Sequence, residues 1–307
     1  RPTNPNHASA VAPQPQHNNK SKKSGHKKIQ SKQAIDARLR KVTKKGQRTR
    51  NVDGRFDVSS FGAEITSTPP PHTLLLGTIP SITSHEHSQY FGYRNNAFWW
   101  LIGDALHFRR GGPRCDCPWP GQWGMKKDGK SPLAIRRDVI NNILHPSAPV
   151  RSYAEQLQIL KQSGYALWDI LQKCNIRNSD DTSIKQPKFN DIPKLFATLP
   201  SIQRIVFANG VTSAMMFIKH HKQWLSQYRC DVNVPTSVND NIKLKNRVLR
   251  AIYGPRREVT APVSAKTLSL CLPASVSPAA AKADYPTKRA TWFEVVFDNA
   301  PTVAATK

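Results

Sequence analysis

Apolar residues along this chain come in short runs broken by glycine, proline and carboxamide residues, with amphipathic stretches between them. Leu74, Leu75 and Leu76 form a run too short for a helix and suited to a buried strand beginning near Thr73. Ile202–Ala208 and Leu268–Leu272 read the same way. Ala97–Ile102 is apolar all round and predicts a buried helix that continues to about Phe108. Ile135, Val139, Ile140, Ile143 and Leu144 recur at helical spacing over Ala134–Leu144. Ser152–Lys161 predicts another helix, opened by a capping box of Ser152 and Glu155. Helices are also predicted over Asn190–Leu199, Val211–His220, Ile242–Tyr253 and Lys288–Phe297. The apolar run through Leu167 and Trp168 is read as helical, with Asp169 buried inside it.

Strands alternating with helices predict an α/β fold, a three-layer α/β/α sandwich around a short, mainly parallel sheet. Residues 1–70 differ, being first rich in Pro, Asn and Gln and then in Lys and Arg; they are expected to form a disordered basic tail closed by Pro69, Pro70 and Pro71. Ala34–Val42 suits either a short basic helix on a phosphate backbone or a solvated tail carrying a nuclear-localisation signal. Residues 71–307 form the folded domain, with two basic stretches near 109–132 and 219–266 that look like insertions.

The charge narrows the choice of partner. The net charge of +26 points to a polyanion. Residues 1–50 hold 14 Lys or Arg and one acid, Asp36, so half of the excess lies in the folded part. Arg109, Arg110, Arg114, Lys126 and Lys127 are candidates to track phosphates. The five cysteines are too scattered for a disulfide scaffold. Cys115 and Cys117 form a lone C-x-C pair, so no metal and no cofactor is expected. A weaker rival is a metal or cluster held by Cys115, Cys117, Cys174 and Cys230. No apolar run approaches the roughly 20 residues of a membrane span.

Gly77, Pro80, Ser81, Ser84, Tyr90, Gly92, Asn96, Phe98 and Trp99 resemble the first motif of the uracil-DNA glycosylase superfamily, and within it the hypoxanthine-DNA glycosylase branch. Gly164, Ala166, Leu167, Trp168, Asp169, Cys174, Ser179, Asp181, Ser183 and Ile184 resemble a second block. Leu272, Pro273, Ser275, Ser277, Pro278 and Ala279 resemble the third if Ala274 is an insertion. Lys288 and Trp292 stand at the family's Lys and Trp positions. Tyr93, Arg94, Ala97 and Ala280 depart from the pattern.

The resemblance implies a monofunctional hydrolase that removes deaminated bases, hypoxanthine and then uracil, from double-stranded DNA by flipping the nucleotide out. It implies a monomer, in the nucleus or an organelle. Many superfamily members carry Asp or Asn where this chain has Ile79, and His where it has Ser275. The hypoxanthine branch works instead through the asparagine matched by Asn96, with Asn95 as a rival one residue earlier. Phe91 is implied to stack on the base, with Gly77, Thr78, Ile79 and Asn209 around it. Asn209 is equally explained as a left-handed turn before Gly210. Ser81, Ser84, Ser275 and Ser277 are implied to meet the DNA backbone, and Asp169 to orient the loops from behind. Asp181 is read as bonding within its own loop. A rival reading is an inactive nucleic-acid-binding protein that keeps the fold.

Overall fold

Five short strands align as one sheet, and helices cover both of its faces. A computed structural model describes residues 55–111, 132–177, 181–255, 265–280 and 283–298. All belong to the unit Thr49–Lys307; the unit Arg1–Arg48 lies outside them. The expectations for the tail up to residue 54, and for Arg114, Cys115, Cys117, Lys126 and Lys127, also fall outside the described residues.

The sheet contains β2 (Thr73–Gly77), β5 (Tyr165–Asp169), β8 (Arg204–Phe207), β9 (Arg229–Asn233) and β10 (Thr267–Cys271), in the order β5-β2-β8-β10-β9. Every pairing in it is parallel. Side chains alternate between two cores, as the strand period of two requires. Leu74, Leu76, Ile205, Phe207, Leu268 and Leu270 face one core. Leu75, Leu167, Val206 and Cys271 face the other. The first core is closed by α5 (Ile192–Thr198), α6 (Val211–Leu225) and α7 (Asn241–Tyr253), through Phe196, Phe217 and Ile252. The second is closed by α2 (Phe98–Leu106), α3 (Pro132–Asn141), α4 (Tyr153–Gln162) and α8 (Tyr285–Trp292), through Phe98, Val139, Leu160 and Trp292. The result is the three-layer α/β/α sandwich. Among the described residues no helix is long and apolar enough to cross a membrane.

The capping box of α4 is present, with Ser152 accepting from the Glu155 N–H and Glu155 accepting from the Ser152 N–H. A short helix, α1 (Ile82–His87), opens at Ser81.

Four expectations need correction. The stretch assigned to the tail contains β1 (Phe56–Ser59), which pairs antiparallel with β6 (Leu171–Ile176); β6 pairs in turn with β7 (Lys185–Phe189). Val58 of β1 is fully buried, so the ordered chain starts well before the prolines. Second, the apolar run ending at Asp169 is strand β5, not helix: covered on both faces, it shows no alternation to separate the two. Third, β9 lies within the stretch near 219–266 expected to be an insertion, yet it is a strand of the central sheet. Fourth, Arg109 is only 2% exposed and does not track phosphates. Arg109 and Arg110 form β3, which pairs with β4 (Val150–Arg151).

Arg109 instead completes a buried polar knot. Its Nη2 lies 3.0 Å from Asp104 Oδ1. Asp104 also accepts from the Leu144 N–H and from the Tyr285 hydroxyl, each at 2.9 Å. One carboxylate thus ties α2 to β3, to the segment after α3 and to α8. Removing one partner of a buried pair strands the other's charge, at a cost of about 3–5 kcal/mol. Asp104→Ala is therefore expected to lower the unfolding free energy by about that amount in urea denaturation; a loss below about 1 kcal/mol would contradict the role given to this knot.

Candidate active site

The parallel register places the carboxyl ends of β2, β5, β8 and β10 along one edge of the sheet, where open α/β folds bind ligands. Gly77 ends β2 directly beside Asp169, which ends β5. A Cβ on Gly77 would stand 2.7 Å from Asp169 Oδ1 and 3.2 Å from Phe91 Cζ. Only glycine allows the carboxyl and the ring to approach the strand this closely. Phe91 lies on Phe98 with ring centroids 4.0 Å apart and planes at 20°. Phe98 is fully buried and Phe91 half-buried, so the stack runs from the core toward the surface at the strand ends.

Phe91 is held by its own loop. Its φ of +51° is a left-handed conformation, unusual outside glycine. The turn is clamped by Arg110, whose guanidinium donates to the carbonyls of Phe91 (3.3 Å), Gly92 (2.9 Å) and Tyr93 (3.2 Å). Ser84 braces it from beneath, its Oγ accepting from the Gly92 N–H at 3.0 Å. Ser84 is 2% exposed, so it supports the loop and is not placed to meet a DNA backbone. Ser81 is half-buried and caps α1, accepting from the Ser84 N–H at 3.1 Å.

Asn96 is half-buried at the start of α2, and its Oδ1 accepts from the Phe98 N–H at 2.9 Å. That bond fixes the amide and leaves Oδ1 a second lone pair. Asn95, the rival, is 2% exposed and donates from Nδ2 to the Tyr93 hydroxyl at 3.2 Å.

Asp169 is buried and hydrogen-bonded at the end of β5, as expected. It is 2% exposed, with Oδ2 accepting from Ser60 Oγ at 2.8 Å and Oδ1 turned to Gly77. Burial, and after it the charge of Asp181, push its carboxyl up to about 7, against the bonds from Ser60 and Tyr90.

A second group lies on the other side of β2. Thr78 is fully buried and its Oγ1 donates to Asp181 Oδ2 at 2.7 Å. Asn209 Nδ2 reaches the same oxygen at 3.4 Å, and Asn209 Oδ1 is buried with no hydrogen-bond partner among the described residues. Asp181, read as bonding within its own loop, therefore also cross-links two strand ends. Ile79 packs into the core beneath β2. The side chains of Thr78 and Ile79 are thus turned away from Phe91, and Asn209 joins Asp181 instead of the Phe91 stack.

The loop after β10 ties the end of β8 to the start of α2. Val276 donates to the Ala208 carbonyl at 2.9 Å and accepts from the Ala97 N–H at 3.0 Å. Ser275 packs on Gly210, 3.3 Å from a Cβ built there, and its Oγ accepts from the Ser277 N–H. Ser275 and Ser277 are half-buried at the surface of this loop. Lys288 Nζ donates to the Ser277 carbonyl and Trp292 Nε1 to that of Ala274, each at 2.9 Å. The Lys and Trp positions of the resemblance therefore hold this loop in place.

Among the described residues no group of His, Cys, Asp and Glu is placed to hold a metal. Cys174 faces the core from β6, while Cys230 lies on β9, the edge strand farthest from β5.

Comparison with known proteins agrees with the sequence resemblance. The chain is 24% identical to the hypoxanthine DNA glycosylase of Methanosarcina barkeri, over 46% of this chain and 64% of that protein. It is 26% identical to the protein of the same name from Methanosarcina acetivorans, over 45% of this chain and 62% of that protein. The chain is thus similar to two proteins named hypoxanthine DNA glycosylase. The match spans less than two thirds of each relative's length. No protein-family profile matches the chain. A solution NMR structure of a candidate uracil DNA glycosylase from Methanosarcina acetivorans is 22% identical, covering 55% of this chain and 77% of its own, with a TM-score of 0.35. A score that low adds nothing to the fold described above.

Sequence reasoning missed Ser60, and it gave Arg110 to phosphates where the structure has it holding the Phe91 loop. Ser60 lay in the presumed tail, and an arginine clamping carbonyls has no sequence signature.

Asp169 should also leave a mark on stability. Its folded pKa of about 7 lies above the ordinary value of 3.8, so the folded chain binds the extra proton between these limits. Stability from this group is then lost as pH rises from about 4 to about 7, and stays level above. Asp169→Asn removes the buried charge. Its melting temperature is expected to exceed that of the parent at pH 8, with the gap closing towards pH 4. A gap that does not vary with pH would refute the assignment.

Proposed function

We propose that the chain is a monofunctional DNA glycosylase that hydrolyses the N-glycosidic bond of deaminated bases in double-stranded DNA, hypoxanthine before uracil, acting as a monomer. The observation that carries this reading is the aromatic stack of Phe91 on Phe98, set against a strand-end glycine with a buried carboxyl at its edge. The relationship to proteins named hypoxanthine DNA glycosylase supports it.

A base inside a duplex must first be extruded, which costs a few kcal/mol and less for a mispaired base. The extruded base stacks on the remaining face of Phe91, adding a third ring to the pair. Base–aromatic stacking contributes about 1–3 kcal/mol. Asp169 then meets the base's edge. Hypoxanthine and uracil both present an N–H next to a C=O, and a carboxyl can bond to both groups. A protonated Asp169 donates to the carbonyl and offsets the charge that the departing base acquires. The backbone at Gly77, Thr78 and Ile79 forms the floor.

Asn96 has the positioning role. An amide does not abstract a proton near neutral pH, but the second lone pair of Oδ1 can fix a water for attack on the anomeric carbon. The hydrogen bond from Phe98 prevents the amide from rotating away. Ser275 and Ser277 offer hydroxyls to the flanking phosphates, and Ser81 lies on the same rim.

The second reading, a binding protein without catalysis, is favoured by Ile79. Its side chain packs into the core where other superfamily members carry a polar catalytic group.

A panel of duplexes with one lesion each, followed by alkaline cleavage of abasic sites, separates the two. Hypoxanthine is expected to be released fastest, with uracil second. Binding without cleavage of any lesion selects the second reading. Asn96→Ser keeps an oxygen that can accept from the Phe98 N–H but is too short to hold the water. It is expected to bind duplex as tightly as the parent and to cleave about 100-fold more slowly; an unchanged rate removes Asn96 from the mechanism.

A further inference from the structure

The antiparallel sheet β1-β6-β7 grows out of the strand ends. Ser60, just after β1, bonds Asp169. Leu171, which opens β6, donates to the Thr78 carbonyl at 3.0 Å. Asn190, just after β7, donates to the Asp169 carbonyl at 2.9 Å. Val58, Cys174 and Ile176 fill one face of this sheet and are buried. Among the described residues the other face is exposed at Asp57, Ser59 and Lys173. In register across it, Ser59, Lys173 and Lys188 form one row, and Asp57, Asn175 and Lys185 the next. All three lysines are exposed, and Arg177 is exposed just past β6. None of the three lysines has an acidic partner among the described residues. Asp57, the carboxylate in these rows, accepts a hydrogen bond from Asn175.

Lys173 stands directly opposite Lys188, with irregular pairing on both sides of it. Like charges facing each other across strands destabilise a sheet. Lysine and proline on an outer strand guard against edge-to-edge aggregation, which would account for Lys185, Pro187 and Lys188 on β7. That explanation does not reach Lys173, which lies on the central strand. A polyanion laid over the rows would relieve the repulsion.

We propose that the exposed face of β1-β6-β7 is a binding surface for the phosphate backbone of duplex DNA, extending the contact outward from the strand ends along Lys173, Lys188 and Lys185. This rests on the nucleic-acid part of the reading above and does not require that any bond be cleaved. It is sequence-independent, because the surface offers point charges.

The test uses the full chain and an undamaged fluorescent duplex, with binding followed by anisotropy across a salt series. Replacing Lys173, Lys185 and Lys188 together by Gln should reduce the slope of log affinity against log salt by about two to three, roughly 0.9 for each lost phosphate contact. A control replaces Lys194, Lys222 and Lys266 by Gln, three lysines exposed elsewhere; it should change the slope by less than about one. Lys188→Glu should raise the melting temperature while weakening duplex binding, a combination that edge protection alone does not produce. An unchanged slope in the sheet variant, an equal fall in the control, or a Lys188→Glu protein that binds as the parent does would overturn the proposal. So would a larger slope change on duplex RNA than on duplex DNA. Because the duplex carries no lesion, failure of the base-excision reading leaves this test intact.

Discussion

The contact on which the site depends is the one made possible by a missing methyl group. Gly77 lets a carboxyl and an aromatic ring converge on the end of β2, with Asp169 Oδ1 2.7 Å and Phe91 Cζ 3.2 Å from where a Cβ would stand. The parallel register brings Asp169 there, because β5 ends level with β2. The left-handed turn at Phe91, clamped by Arg110 and Ser84, brings the ring. Neither arrangement survives a side chain at position 77. The carboxyl is retained despite a burial cost that pushes its pKa to about 7. A buried polar group kept at such a cost, at the ends of parallel strands, is a candidate for chemistry.

The sheet divides the work between its faces. On one side of the strand ends stand the aromatic stack, Asn96 and the loop after β10, the last held by Lys288 and Trp292. On the other side Asp181 ties Thr78 to Asn209 and anchors the β6–β7 hairpin. The carboxylate of Asp104, deep under the first group, fixes α2 and α8 relative to one another. Positioning within a fraction of an ångström needs such support, since a misplaced group loses most of its effect.

Much of this fold is legible in the sequence, and the exceptions have physical causes. Leu74–Leu76, Ile202–Ala208 and Leu268–Leu272 read as strands because apolar runs that short cannot form stable helices. The α4 cap is legible because its hydrogen bonds are local. The run ending at Asp169 was misread because a strand buried on both faces has no period to betray it. β1 escaped because only Val58 of its four residues is buried, while the bonds that hold it are made to β6, more than a hundred residues away. In the site, the motif residues Gly77, Asn96 and Phe98 could be named in advance. That Ser84 and Arg110 serve the loop, and that Asp169 Oδ1 faces Gly77, depends on side-chain contacts that leave no periodic or motif signature in the sequence.

The account stands or falls on what lies beside Phe91 when a damaged duplex is bound. The most direct measurement is a structure of the chain with a duplex carrying 2′-fluoro-arabino-inosine, whose glycosidic bond resists hydrolysis. The expected result is a purine stacked on Phe91, its N1 and O6 edge within hydrogen-bond distance of Asp169, and a water between Asn96 and the anomeric carbon. A purine still paired within the duplex, with Asp169 and Asn96 touching only protein, would contradict it.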